Sequence, residues 1–146
     1  MAGGETADAL IARLGLVPHP EGGHFRETWR SSPAPGQTRG ATTAIFFLLK
    51  AGERSHWHHV DAVEIWHWHA GAPLRLSIAD GSDHRDVVLG NDFAAGQTPQ
   101  AVVPPLAWQS ARSLGDWTLV GCTVSPAFEF AGFTLAPPGW EPPGWR

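Results

Sequence analysis

The chain has 146 residues, 42% of them apolar, and a formal charge of −4 with one lysine; that size suits a single globular domain spanning residues 1–146. The charge leaves no basic patch for nucleic acid and no polybasic membrane anchor, and no apolar run reaches the length of a membrane span. A single cysteine, Cys122, excludes an internal disulfide and a pair of catalytic thiols, and with no basic-then-apolar leader the expectation is cytoplasmic residence.

Thr6 reads as the N-cap of a short helix over Ala7–Leu14, with Asp8 in its first turn and Gly15 as its C-cap. Leu10, Ile11 and Leu14 give that helix one apolar face. Glu21-Gly-Gly23 reads as a structural bend whose glutamate caps or pairs locally, because glycines permit tight turns. Strand-like segments then dominate, as thirteen prolines and seventeen glycines suggest. His24–Arg30 alternates weakly, residues 31–37 form a Pro/Gly loop, and residues 42–49 form an apolar run suited to a central strand. Further strands are expected over 63–69, 74–79, 85–89, 101–103, 107–111, 117–125 and 130–135. Hairpin turns fit residues 81–83 and 113–116, and the proline-rich segment 137–146 reads as irregular. Many short strands at near-regular spacing predict an all-β sandwich or small barrel.

Residues 52–71 concentrate the chemistry, with five of the eight histidines, three of the eight tryptophans and Glu64. Imidazole and carboxylate bind metals and move protons near neutral pH. Strand alternation puts His56 and His58 on one side, and divides Glu64, Trp66 and Trp68 from Ile65, His67 and His69. A hairpin through residues 60–63 would let His56, His58 and Glu64 converge, a donor set suited to Fe(II), Zn, Ni or Mn. His67 and His69, on the other face, read as solvated or structural.

The spacing of Gly52, His58, Glu64 and Gly71 resembles the first motif of the cupin superfamily, with Val60 in the second histidine slot. Pro104, Leu106 and Gln109 resemble its second motif, with leucine for glycine and glutamine for histidine. His19-Pro-Glu-Gly-Gly23, Phe25, the 42–49 run, Glu64-Ile-Trp-His-Trp68 and Trp108-Gln109 are similar to the small single-domain cupins of uncharacterised activity. The resemblance runs from about Leu14 to Leu135. It implies a double-stranded β-helix (the cupin jelly roll) with a short N-terminal helix, assembled as a homodimer, and it implies little about reaction.

The expected site is therefore a barrel pocket. His58 and Glu64 are its candidate acid–base pair, since burial in an apolar interior raises a carboxyl's proton affinity unless an imidazole pairs with it. Phe46, Trp66, Trp68 and Trp108 are candidate walls, and Gln109 and Glu27 candidate ligand contacts. His56, His58, Glu64 and Gln109 are the candidate ligands for a divalent transition metal. Three functions fit these residues. One is an isomerase-, epimerase- or lyase-like enzyme acting on a small polar metabolite, with no tyrosine to serve as its acid. Another is a metal-dependent oxygenase or isomerase that needs His56. The third is a non-catalytic metabolite-binding module.

Overall fold

Thr6 starts helix α1 (Ala7–Leu14) as its position predicts. Its hydroxyl accepts from the Ala9 N–H at 3.1 Å, and Gly15 closes the helix in the left-handed conformation at φ 68°. No residue of α1 is buried; the Leu14 carbonyl accepts from Arg26 at 3.2 Å, which ties the helix end to the first long strand. The computed structural model describes residues 5–145, so Arg146 of the expected irregular tail lies outside the described residues, while 137–145 form no strand or helix.

Among the described residues, eleven strands build two antiparallel sheets. The first has the order β1 (Val17–Pro18), β2 (His24–Arg30), β3 (Thr43–Lys50), β10 (Trp117–Ser125), β5 (Val63–Gly71), β8 (Gln100–Val103). The second has the order β11 (Phe133–Leu135), β4 (Arg54–Val60), β9 (Trp108–Ser113), β6 (Leu74–Asp80), β7 (Asp83–Leu89). Two sheets stacked face to face bury one side of each, and the alternation in the sequence shows which. In β6, Leu74, Leu76 and Ile78 turn inward and are at most 1% exposed, while Arg75 and Ser77 turn out. Phe47, Leu49, Trp66, Val103 and Val120 meet them from the other sheet. Among the described residues no helix is long and apolar enough to cross a membrane.

Two expected hairpins are not hairpins. Residues 81–82 do turn β6 into β7, with Asp80 opposite Asp83. Residues 114–116, however, carry the chain from β9 in one sheet to β10 in the other, and residues 61–62 carry it from β4 to β5 in the same way. A short connection between antiparallel segments fits either a hairpin or a sheet-to-sheet corner, and here both are corners. The consequence for function is favourable: β4 and β5 face each other across the sandwich rather than lying side by side. The expected strand over 130–135 is shorter, because Phe130–Gly132 forms a 3-10 turn before β11.

Candidate functional site

His58 and Glu64 enter the interior from opposite sheets, and both are buried, 2% and 7% exposed. A bulge in β4 sets the direction of His58. Ser55 pairs with Ala111 and His58 with Gln109, so two residues of β4 oppose one of β9. Ser55 and His58 therefore both point inward. His56, on the bulge, turns to the other side, where its Nε2 meets the Pro137 carbonyl at 2.9 Å. The expected convergence of His56 with His58 fails for this reason: one extra residue reverses the strand's parity.

A side chain from outside the histidine-rich stretch takes the vacant place. The Glu21 carboxyl accepts a hydrogen bond from the Ser55 hydroxyl, and its Oε1 lies 3.4 Å from His58 Nε2 and 3.5 Å from His19 Nδ1. The turn that delivers it depends on Gly22 and Gly23, at φ 111° and 76°. A Cβ on Gly22 would collide with the Arg54 carbonyl oxygen. The backbone thus docks on β4, with the His56 N–H donating to the Glu21 carbonyl at 2.8 Å. The expectation of a purely local glutamate is corrected accordingly, since the same glycine pair that makes the bend lets Glu21 reach the interior.

Hydrogen bonds fix the ring tautomers. A carbonyl can only accept, so His58 Nδ1, 2.7 Å from the His56 carbonyl, carries a proton and leaves Nε2 facing Glu21. The Glu21 N–H donates to His19 Nδ1 at 3.1 Å, so the proton of a neutral His19 sits on Nε2. On the other wall, Trp66 Nε1–H donates to Gln109 Oε1 at 2.8 Å, and the Gln109 amide nitrogen donates to Glu64 Oε1 at 3.0 Å. Indole is a donor only, so the amide orientation follows.

Burial dominates the electrostatics. It pushes the Glu21 carboxyl up to about 8, against the opposing pull of the Ser55 hydrogen bond. It pushes Glu64 up to about 7, an effect that His58 opposes and Glu21 reinforces. His58 is lowered by burial, and His19 is lowered to about 4 by burial and by the nearby His58. His19 is therefore neutral at pH 7, and its approach to Glu21 is a polar contact rather than an ion pair. Burial also raises the Cys122 thiol, next to Glu64, so that it stays protonated.

These groups open onto one cavity of about 360 Å³, at the small end of ligand sites. Glu21, His19, His58 and Glu64 lie at its buried end, between apolar walls that include Phe25, Phe47, Val60 and Phe128. Glu27 lines the exposed end, as expected for a ligand contact, but its carboxylate holds Arg30 at 2.8 and 2.9 Å. The expected aromatic walls lie elsewhere. Phe46 faces away, against His69, and its neighbour Phe47 takes the wall position. Trp108 is on the outer face of the second sheet, between His59 and Trp140. Trp66 and Trp68 do turn inward but pack in the core beyond the cavity, and Gln109 touches Glu64 from behind. His67, bonded to Thr123, and His69 occupy the opposite face of β5, as the alternation predicts.

Comparison with known proteins places this geometry. A family profile described as "Cupin superfamily (DUF985)" matches residues 8–136. The chain belongs to this cupin family. Protein SO0799 from Shewanella oneidensis is 39% identical, with a TM-score of 0.85 over 90% of this chain and 85% of that one. A hypothetical protein from Leishmania major is 33% identical, with a TM-score of 0.83 over 90% and 88% of the two chains. Oxalate decarboxylase from Bacillus subtilis, 14% identical with a TM-score of 0.62 over 81% of this chain and 29% of its own, shares the fold. A 90-residue stretch is 32% identical to human protein crumbs homolog 2, covering 56% of this cupin but only 6% of that protein's length.

The two cupin motifs imply a metal centre, and the side chains of this cupin do not suit one. Val60 offers no donor atom, and His56 points away. The one Gln109 atom able to ligate, its carbonyl oxygen, is held by Trp66, so the amide nitrogen is what faces Glu64. Among the described residues no three His, Cys, Asp or Glu side chains form a metal-holding group. The expected set of His56, His58, Glu64 and Gln109 is thus dispersed by the bulge and by the amide orientation.

Proposed function

We propose that this cupin is a small-molecule enzyme of the proton-transfer type, isomerase-, epimerase- or lyase-like, working through Glu21, His58 and Glu64. The observation that carries the reading is the approach of Glu21 Oε1 to His58 Nε2 at 3.4 Å, with Glu64 in the same cavity. Because His58 Nδ1–H is committed to a carbonyl, one proton between Nε2 and the Glu21 carboxyl can sit on either group. Glu64 has a proton affinity matched to neutral pH, the condition under which a general base and its conjugate acid are both available. Gln109 and Trp66 position Glu64 without touching the ligand. Apolar walls exclude water, which strengthens each of these interactions. The substrate expected for a pocket of this size is a small polar metabolite.

A metabolite-library thermal-shift screen, with hits then incubated in D2O, tests the reading. A proton-transfer enzyme introduces deuterium at a C–H of a bound compound, and Glu64→Gln abolishes that exchange. Binding with no exchange in the wild type would establish the non-catalytic binding module instead.

A further inference from the structure

We infer that His19 is a catalytic hydrogen-bond donor and that the cavity takes a carbonyl compound bearing an α C–H, an aldehyde or ketone with an apolar body. The inference rests on the acid–base reading of Glu64 and adds to it the substrate class and the electrophile. Its starting point is an unused donor. The His19 side chain is 6% exposed, and its Nδ1 accepts from the Glu21 N–H. The ring proton must then sit on Nε2, which has no hydrogen-bond partner among the described residues. His19 lines the cavity, so this N–H is open to an acceptor atom of whatever the cavity holds. Edge contacts with Phe25 and Phe47, at centroid distances of 4.5 and 5.9 Å, hold the ring in place.

The other polar groups at this end narrow the acceptor to an uncharged oxygen. Two carboxyls, Glu21 and Glu64, share the space, and among the described residues no lysine or arginine is buried with them. The cavity's two arginines are at the exposed end, Arg30 held by Glu27 and Arg26 bonded to the Leu14 carbonyl. A ligand carboxylate or phosphate at the buried end would meet the ionised Glu64 that the mechanism needs, with no compensating cation. A carbonyl oxygen accepts from His19 Nε2–H at no such cost. The apolar walls at Phe47, Val60 and Phe128 then take its carbon frame.

The chemistry balances with no outside oxidant. Glu64, ionised, removes the α proton; the C–H electron pair forms the C=C bond, and the carbonyl π pair moves to oxygen. His19 Nε2–H stabilises that developing charge, as a neutral imidazole paired with a carboxylate base does in enolising enzymes. Return of the proton from Glu64 regenerates the substrate with its α hydrogen exchanged; delivery of one from the Glu21–His58 pair to the other face of the α carbon completes an epimerisation, after which Glu64 gives up its proton to solvent and Glu21 takes one back.

The test follows α-hydrogen exchange of 1-phenylpropan-2-one and of cyclohexanone in D2O by proton NMR. Wild type is expected to accelerate exchange of at least one probe over Glu64→Gln. His19→Asn keeps an acceptor for the Glu21 N–H but loses the Nε2 donor, and it should slow exchange by about 100-fold. His19→Gln, which returns an amide N–H near the Nε2 position, should recover part of the loss; a purely structural role for the ring predicts no such recovery. Urea unfolding of each variant confirms that it is folded. Exchange of neither ketone by wild type overturns the inference, as does equal exchange in wild type and His19→Asn. Glu64-dependent deuterium uptake by a library compound that has no carbonyl overturns it too, while leaving the acid–base reading standing.

Discussion

Replacing Glu21 by glutamine should change how stability depends on pH. The native state holds the Glu21 proton to about pH 8, whereas the ordinary value for a solvated glutamate is 4.5. Between those values the unfolded chain binds fewer protons than the native one, so this group's contribution is fully present below pH 4.5 and is lost as pH rises through 8. His19 acts with the opposite sign between 4 and 6.5, because its native value is depressed. The clean window is therefore above pH 6.5. From there to pH 8 the Glu21 contribution falls by about 2 kcal/mol at 1.36 kcal/mol per pH unit, with a smaller loss from Glu64 that ends near pH 7. For a chain of this size that is roughly 5 °C in Tm. Thermal melts of wild type and Glu21→Gln at pH 6.5, 7.25, 8 and 9 read it directly. Wild type should lose the full amount, and the variant less than half of it. Parallel losses in the two proteins would show that Glu21 ionises freely and is not buried with His58.

Three further substitutions probe the supports of the site. Gly22→Ala forces a Cβ onto the Arg54 carbonyl at a positive φ and should cost about 2 kcal/mol or more in urea unfolding, with a loss of ligand binding to match. Trp66→Phe leaves Gln109 Oε1 without its donor; it should destabilise by about 1–3 kcal/mol and weaken deuterium exchange, because the amide no longer presents its nitrogen to Glu64. Gln109→His puts an imidazole opposite His58 on the neighbouring strand, near Glu64, and should raise zinc or nickel content after dialysis to about one per chain; metal content equal to that of wild type would contradict the part given to the Gln109 amide, beside Val60 and the bulge, in dispersing the metal set.

The sequence was legible where one physical rule acts alone. Helix α1 has both caps where Thr6 and Gly15 predict them. Alternation along β5 put Glu64, Trp66 and Trp68 inside and His67 and His69 outside, as found. The misplaced residues came from applying alternation incompletely. Phe46 and Phe47 are adjacent, as are Trp108 and Gln109, so only one of each pair can face the cavity, and in both cases it is the second that turns inward. The bulge at His56 and Trp57 left no mark in the composition, because a bulge is set by the pairing of β4 with β9 and not by β4 alone. Glu21 and His19 were hidden by distance along the chain. The available signal was the Gly22–Gly23 pair beside a glutamate, a sign of close backbone approach as well as of a bend.

Electron density from crystals soaked with a compound that undergoes Glu64-dependent exchange would decide the matter most directly. The compound should lie between the sheets, with a polar atom against Glu64 and its carbon frame against Phe47. Density on the outer face beside Trp108 and Trp140, or an interior closed by side chains around His58, would contradict the account.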